Sequence, residues 1–259
     1  MPKFAANLSM LFTELPFLQR FKAASESGFK YVEYLFPYEW SPHILATHLK
    51  QHDLKQVLFN LPSGDWDQGE RGIACLPNRI SEFKEGVDKA IEYANILGVK
   101  QLNCLAGLKP DNFEYAEIWQ TFINNITYAA DRLNKHDITL LIEPINSKID
   151  MPGFFIDTLN KALQAINEVK PSNVKVQFDI YHMQIMQGDI LRSLENNLQY
   201  IQHIQFADCP GRHEPGTGEL NFQNIFKYLD YIQYSGWVSA EYIPKSNTQS
   251  SLTWFQQRV

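Results

Sequence analysis

Three acidic residues and one glutamine stand at the ends of four short apolar segments in the second half of the chain. They are Glu143, Asp179, Gln205 and Glu241, spaced by 36, 26 and 36 residues. Each gap is long enough for one strand, one connecting helix and two loops. In a parallel barrel these strand ends face a common mouth, and oxygen ligands that converge there suit a hard divalent cation. Zinc sites favour His and Cys, so one Mg²⁺ or Mn²⁺ ion is predicted.

Taken singly, Glu143 or Glu241 is equally well explained as a residue that caps a strand or forms a structural ion pair. A charge at the end of an apolar strand is costly unless it is paired or bound to a metal. The presence of two further oxygen ligands on two other strands therefore favours the metal site. The amide of Gln205 also limits the excess of negative charge there.

Other polar residues are candidates for binding a substrate. His182 follows Asp179 by three residues, where it can donate to a substrate oxygen or simply lie at a helix start with backbone partners. His203, two residues before Gln205, shares a strand face with it and is a candidate interior residue. Each of the two longest irregular segments carries one arginine able to bind a carboxylate in a planar fork. These arginines and two asparagines at strand ends complete the predicted set: Arg71, Arg212, Asn7 and Asn60.

Short apolar runs alternate with longer amphipathic ones along the whole chain. Helical patterns separate the strand candidates, and one of them, from Phe83 to Leu97, is followed by Gly98 as a helix end. This alternation predicts an α/β fold, a single (β/α)8 TIM barrel formed by residues 1–259 as one domain. A doubly wound sheet is the second choice, and its early G-x-G-x-x-G turn is lacking. The strand candidates are Lys3–Leu8, Tyr31–Tyr34, Lys55–Asn60, Lys100–Leu105, Thr139–Glu143, Lys175–Asp179, Ile201–Phe206 and Val238–Tyr242.

Composition excludes several classes of protein. With 44% apolar residues, the 259-residue chain can form a sizeable core, and its net charge of −6 argues against nucleic acid or an anionic membrane as a partner. The three cysteines are odd in number and far apart, which predicts reduced thiols in a cytoplasmic protein. No signal peptide or membrane span is expected. The sequence does not determine the oligomeric state, and it is compatible with a homo-oligomer.

The chain resembles the hydroxypyruvate isomerase family of the xylose isomerase-like barrel superfamily over nearly its full length. This resemblance implies that Glu143, Asp179, Gln205 and Glu241 bind the metal and that the two glutamates also serve as the acid and base. Related sugar epimerases carry a histidine where Gln205 stands. The matching stretches are Phe4–Phe12, Asn60–Pro62, Gly64–Trp66, Gly69–Cys75, Ile142–Asn146, Asp179–Met183, Glu214–Glu219 and Gly236–Val238.

The reaction implied is the metal-assisted isomerisation of hydroxypyruvate to 2-hydroxy-3-oxopropanoate (tartronate semialdehyde) through an enediolate. The alternative is a 2-oxo-tetronate isomerase, or another isomerase or epimerase of small sugar acids. A DNA-repair endonuclease of similar fold would need a His-rich trinuclear site and a basic face, whereas this chain has 7 histidines and a charge of −6. A barrel that only binds sugar acids is disfavoured by the paired glutamates Glu143 and Glu241. We therefore expect a small 2-oxo or hydroxy acid as substrate.

Overall fold

The computed structural model of the protein describes residues 2–256 and contains a closed barrel of eight parallel strands in chain order. The first strand pairs with both the second and the eighth, so the sheet closes on itself. The predicted (β/α)8 barrel is confirmed, and the doubly wound alternative is wrong because an open sheet would leave two unpaired edges. The strands are β1 Lys3–Asn7, β2 Tyr31–Glu33, β3 Lys55–Asn60, β4 Gln101–Cys104, β5 Thr139–Ile142, β6 Val174–Asp179, β7 Ile201–Phe206 and β8 Trp237–Ala240.

Helices connect the successive strands, and local signals fix several of their ends. The Ser41 side chain caps the helix that starts at Pro42, and Gly98, at φ 70°, ends the third helix as predicted. No helix within residues 2–256 is long and apolar enough to cross a membrane. The helices are α1 Phe17–Glu26, α2 Pro42–Gln51, α3 Ile80–Leu97, α4 Tyr115–Asn134, α5 Leu159–Glu168, α6 Ile180–Met186, α7 Ile190–Asn196, α8 Phe222–Tyr231, α9 Thr248–Ser251 and α10 Thr253–Gln256.

The amino-terminal part of the barrel interior is filled by apolar side chains. A small buried cluster of Ala5, Val57, Leu58 and Leu141 lies there, with Tyr31 and Trp237 packed against it. Because side chains alternate along a strand, the next interior positions toward the carboxyl ends carry the polar residues. The barrel is therefore closed at the bottom and polar at the top, which concentrates its chemistry at the mouth.

Strands β5 and β8 are among those that end earlier than predicted, and this places their glutamates at the rim. Strand β5 ends at Ile142 and β8 at Ala240, so Glu143 and Glu241 are the first residues after their strands. Pro144 follows Glu143 and has no N–H to continue the ladder. Both side chains are nevertheless buried, at 5% and 3% exposure.

The loop after β7 is organised by one buried carboxylate, that of Asp208. Its Oδ2 accepts backbone N–H bonds from Gly216, Thr217 and Gly218 at 2.8, 3.1 and 2.9 Å. The glycine-rich turn therefore surrounds an internal carboxylate, which pairs these backbone N–H groups. This loop also carries Arg212, whose position over the mouth follows from the same turn.

Candidate active site and metal centre

Glu143, Asp179 and His182 bring three possible ligand atoms together at the mouth. One ligand atom from each residue lies within 4.8 Å of the others, and all three side chains are buried. The two carboxylates, one just after β5 and one at the end of β6, can therefore hold a metal ion, with the imidazole from α6 beside them. His182 was predicted as a substrate ligand, and that role stays a prediction.

The carboxyl group of Glu143 is held by Asn103 of β4, whose Nδ2 donates to Oε2 at 2.8 Å. Burial and the neighbouring Asp179 raise the pKa of Glu143 to about 8, despite the opposing effect of Arg212. A carboxyl group with such a pKa can exchange a proton near neutral pH, which is what general acid–base catalysis needs. The Oδ1 of Asn60 accepts from the same Asn103 amide at 3.2 Å, and the predicted role of Asn60 in substrate binding stays a prediction.

The two carboxylate oxygens of Asp179 have different roles, one in capping a helix and one in the site. Its Oδ1 accepts the backbone N–H groups of Tyr181 and His182 at 2.7 and 3.3 Å and so caps α6. Its Oδ2 is buried and has no hydrogen-bond partner within residues 2–256. A buried carboxylate oxygen without a donor is costly, and a cation would compensate it.

The imidazole of His182 faces that oxygen, with Nε2 3.6 Å from Oδ2 of Asp179. Burial lowers the pKa of His182 to about 4, so the ring is neutral at pH 7. Its Nδ1 lies 2.7 Å from Nδ2 of Asn146, and if the amide donates there, the ring proton is on Nε2. This tautomer offers one N–H donor toward the mouth. Asp150 lies beside the same ring, 3.7 Å from Nδ1.

Glu241 is the most strongly bonded carboxylate of the site. Its Oε1 accepts from Nδ2 of Asn7 at 2.9 Å and from Nε2 of Gln205 at 3.1 Å, while its Oε2 accepts from Nη2 of Arg212 at 2.6 Å. Burial raises the pKa of Glu241 well above its usual value, although Arg212 opposes this shift. Asn7, predicted to bind substrate, thus lies directly against the second glutamate.

Gln205 turns its amide nitrogen toward Glu241 and its oxygen toward Gln177, which donates to it at 2.6 Å. Strand pairing places Gln205 beside Asp179. The structure therefore brings together the four residues predicted as metal ligands. The amide oxygen of Gln205 keeps one lone pair beyond its bond to Gln177.

The two predicted arginines have different surroundings. Arg212 is 14% exposed, lies against Glu241 and comes within 3.9 Å of Asp179, and its Nε is buried without a partner in the described part of the chain. Arg71 donates to the backbone oxygens of Trp66 and Glu70 and lies over the Trp66 ring. The substrate-binding role of Arg71 stays a prediction, and the contacts place Arg212 alone among the carboxylates.

Sequence reasoning missed several polar residues that support the site. Glu33, at the end of β2, bonds Asn7, Gln205 and His203, and Asn103 holds Glu143. A signal was available for Glu33, since it too is an acidic residue that closes an apolar strand. Asn103 interrupts a predicted apolar strand and could have been found in the same way.

Several known proteins are similar to this chain in sequence. A family model described as xylose isomerase-like TIM barrel matches residues 21–258. The chain belongs to the xylose isomerase-like TIM barrel family. Its relatives in that family include a hydroxypyruvate isomerase of Escherichia coli (strain K12), 47% identical over 254 residues, which are 98% of each chain. A 2-oxo-tetronate isomerase of Cupriavidus necator is 43% identical, with 99% of this chain and 98% of the other covered.

Two solved structures share the fold of this chain. A crystal structure from Brucella melitensis, named AP endonuclease, family 2, is 46% identical and superposes with a TM-score of 0.97 over 100% of this chain and 99% of that one. The 3-keto-D-glucoside 4-epimerase YcjR of E. coli is 19% identical with a TM-score of 0.80, and covers 99% of this chain and 100% of the other. At that identity the second likeness concerns the fold alone.

Proposed function

We propose that the protein is a hydroxypyruvate isomerase that interconverts hydroxypyruvate and 2-hydroxy-3-oxopropanoate through an enediolate. The observation that carries the proposal is the pair of buried glutamates, Glu143 and Glu241, which share a mouth with Asp179 and Arg212 and have raised pKa values. The 47% identity to a hydroxypyruvate isomerase over 98% of both chains supports the same reaction.

The residues that would hold a divalent metal are Glu143, Asp179, Gln205 and Glu241. Their donor set fits such an ion, because it is made of oxygens and because Oδ2 of Asp179 is buried without a hydrogen bond in the described chain. We propose Mg²⁺ or Mn²⁺, with the imidazole of His182 adjacent. Such an ion, when bound, stabilises negative charge that develops on the substrate oxygens.

The glutamates move the proton. One of Glu143 and Glu241, as a carboxylate, takes a proton from the hydroxymethyl carbon of hydroxypyruvate, and the other, as a carboxylic acid, returns a proton to the former carbonyl carbon. The hydroxyl proton of the substrate moves to the former carbonyl oxygen, and a proton passed back between the two glutamates restores their starting states. Both residues lie on separate strands and are buried, so water has little access to the carboxyl groups. In metal-free protein burial raises the pKa of Glu143 to about 8, and a bound cation would lower it and favour the carboxylate form that acts as the base.

Arg212 is the residue we propose for the substrate carboxylate. Its Nη2 donates to Glu241, whereas its buried Nε has no hydrogen-bond partner among residues 2–256 and is the donor we propose for the substrate. The adjacent Nε2–H of His182 would donate to a substrate oxygen and orient the reacting carbons between the two glutamates. A planar guanidinium fixes the plane of a bound carboxylate, which restricts the reaction to one geometry.

A four-carbon substrate is the second candidate, because a 2-oxo-tetronate isomerase is 43% identical over 99% of this chain. The chemistry at Glu143 and Glu241 would be the same, since both reactions shift a carbonyl by one carbon. The two substrates differ by one hydroxymethyl group. The side chains that line the mouth therefore determine which of the two substrates fits.

Nuclease activity is disfavoured, although one similar structure is named AP endonuclease, family 2. Duplex DNA is bound chiefly through its phosphates by basic side chains, and the net charge here is −6. The described site holds one histidine among its carboxylates and only one arginine, Arg212, which is paired with Glu241.

The test is a substrate panel of hydroxypyruvate and 2-oxo-tetronates, assayed with the metal removed by chelation and then restored. We expect turnover of hydroxypyruvate that is lost without metal and regained with Mg²⁺ or Mn²⁺. A clear preference for a four-carbon acid would favour the second candidate. Cleavage of abasic DNA together with no isomerase activity would contradict both.

A further inference from the structure

A chain of buried polar side chains crosses the barrel just below the mouth. Glu33 of β2 and His203 of β7 are 1% and 0% exposed, and Oε2 of Glu33 lies 2.7 Å from Nε2 of His203. The other ring nitrogen, Nδ1, lies 2.9 Å from Nε2 of Gln101. Neither Glu33 nor His203 has a part in the proton transfers proposed above.

The second oxygen of Glu33 reaches toward the site. Oε1 accepts from Nδ2 of Asn7 at 2.9 Å and from Nε2 of Gln205 at 2.7 Å. The same two nitrogens also donate to Oε1 of Glu241, at 2.9 and 3.1 Å. The amides of Asn7 and Gln205 therefore bridge the carboxylates of Glu33 and Glu241. Each amide nitrogen donates to both carboxylates.

This bridge fixes which end of each amide points where. An ionised carboxylate only accepts hydrogen bonds, so it selects the nitrogen of a neighbouring amide and rejects the oxygen. With its nitrogen committed to Glu33, the Gln205 side chain must direct its oxygen elsewhere. Oε1 of Glu241 already receives two N–H bonds, which leaves Oε2 as the oxygen that faces Arg212.

The position of Glu33 is costly for a charge, since the apolar cluster that includes Ala5 and Leu58 fills the barrel below it. His203 compensates that cost. Its Oε2 lies 2.7 Å from Nε2 of His203, and its Oε1 accepts N–H bonds from Asn7 and Gln205, so both carboxylate oxygens have hydrogen-bond partners. A barrel interior filled with apolar side chains would avoid the cost altogether.

We propose that Glu33 is a positioning residue of the metal centre, which orients the amide of Gln205 and the carboxylate of Glu241 while His203 holds Glu33 itself. The inference rests on the proposed metal centre. Outer hydrogen-bond partners of metal ligands commonly change metal affinity by about 10- to 100-fold when they are mutated. Glu33 would act in this way without touching substrate or metal.

The test measures Mn²⁺ affinity by titration calorimetry in the absence of substrate. Glu33→Gln offers an amide that can present either end, so the orientation of Gln205 is no longer dictated. Glu33→Asp keeps the charge but withdraws the oxygen by about one carbon–carbon bond length, out of reach of both amides. We expect each variant to bind Mn²⁺ at least about tenfold more weakly than the parent.

Tyr34→Phe is the matched control for folding. Tyr34 follows Glu33, is buried and donates its own hydrogen bond to Gln56 at 2.5 Å. The Tyr34→Phe variant should retain the parent's Mn²⁺ affinity even if its Tm falls. A folded Glu33 variant should bind Mn²⁺ more weakly. If Glu33→Gln does not fold, Glu33→Asp carries the test.

Parent-like Mn²⁺ affinity in a folded Glu33 variant would overturn the inference, and so would a parent protein that does not bind Mn²⁺. Because no substrate is present, the result is separate from the proposed reaction. A parent that binds Mn²⁺ but does not convert hydroxypyruvate would contradict the proposed function and leave the role of Glu33 standing.

Discussion

Arg212 donates from Nη2 to Oε2 of Glu241 at 2.6 Å, although the two residues come from loops that follow different strands. The contact places a cation against one of the two glutamates. Burial works against the charge of Arg212, but Glu241 and Asp179 raise its pKa, so it stays charged throughout the working pH range. This guanidinium therefore lies against Glu241 and within 3.9 Å of Asp179.

The Arg212→Lys variant keeps the charge but loses the planar fork. We expect kcat/KM for hydroxypyruvate to fall by roughly ten- to hundredfold, the equivalent of about 1.5–3 kcal/mol for a charged hydrogen bond. Arg71→Lys tests the second predicted arginine, whose bonds stay within its own loop, and we expect a smaller loss there. Parent-like kcat/KM in Arg212→Lys would remove Arg212 from its role.

Removing a proton acceptor while keeping its shape tests the acid–base pair. Glu143→Gln and Glu241→Gln should each lower turnover by at least about a hundredfold. Both residues are also proposed metal ligands, so the assay is run at saturating metal, with metal content measured on the same samples. Near-normal turnover in either variant would assign the proton transfer to another group.

Asp179 combines two roles that a pair of substitutions separates. Asp179→Ala removes both the cap of α6 and the free Oδ2, and we expect it to lose stoichiometric binding of Mg²⁺ or Mn²⁺. Asp179→Asn keeps an acceptor for the cap and should preserve more stability than the alanine variant. Elemental analysis that shows unchanged metal in Asp179→Ala would exclude this residue from the metal centre.

The raised pKa of Glu143 predicts how stability depends on pH in metal-free protein. In the fold the pKa is about 8 against an ordinary 4.5, so its contribution to stability is complete below pH 4.5 and is lost as pH rises through about 8. The pKa of His182 is lowered from 6.5 to about 4 in the fold. This shift makes stability rise with pH, but only below pH 6.5. The window from pH 6.5 to 8 therefore isolates the carboxyl groups.

In that window, with a chelator present, we expect the parent's Tm to fall by at least about 2 °C. Glu143→Gln should show a smaller fall, since it has no proton to lose. Differential scanning calorimetry at matched ionic strength provides the comparison. A parent Tm that rises between pH 6.5 and 8, or a variant that falls as steeply, would show that Glu143 has no raised pKa.

The barrel and the predicted ligands could be derived from the sequence because each depends on local pattern. Alternation of strands and helices marks the eight strands, and Glu143, Asp179 and Gln205 end or follow apolar runs that are visible by inspection. Side-chain period and the common direction of parallel strands then bring them to one mouth.

The remaining features depend on contacts between distant parts of the chain. Glu33 ends a strand of only three residues and meets His203, 170 positions away, through the barrel interior. Arg212 and Arg71 differ because their loops follow different paths. The backbone N–H of Arg212 donates to the backbone oxygen of Asp208 at 3.1 Å, whereas Arg71 bonds within its own loop. Neither relationship leaves a periodic signal in the sequence.

The most direct measurement of the central claim is the conversion of hydroxypyruvate by the purified protein, followed by NMR with metal removed and then restored. The account predicts formation of 2-hydroxy-3-oxopropanoate by the metal-loaded parent, little by the chelated parent, and at least about a hundredfold less by metal-loaded Glu143→Gln. A metal-loaded parent that leaves both hydroxypyruvate and 2-oxo-tetronates unchanged would contradict it.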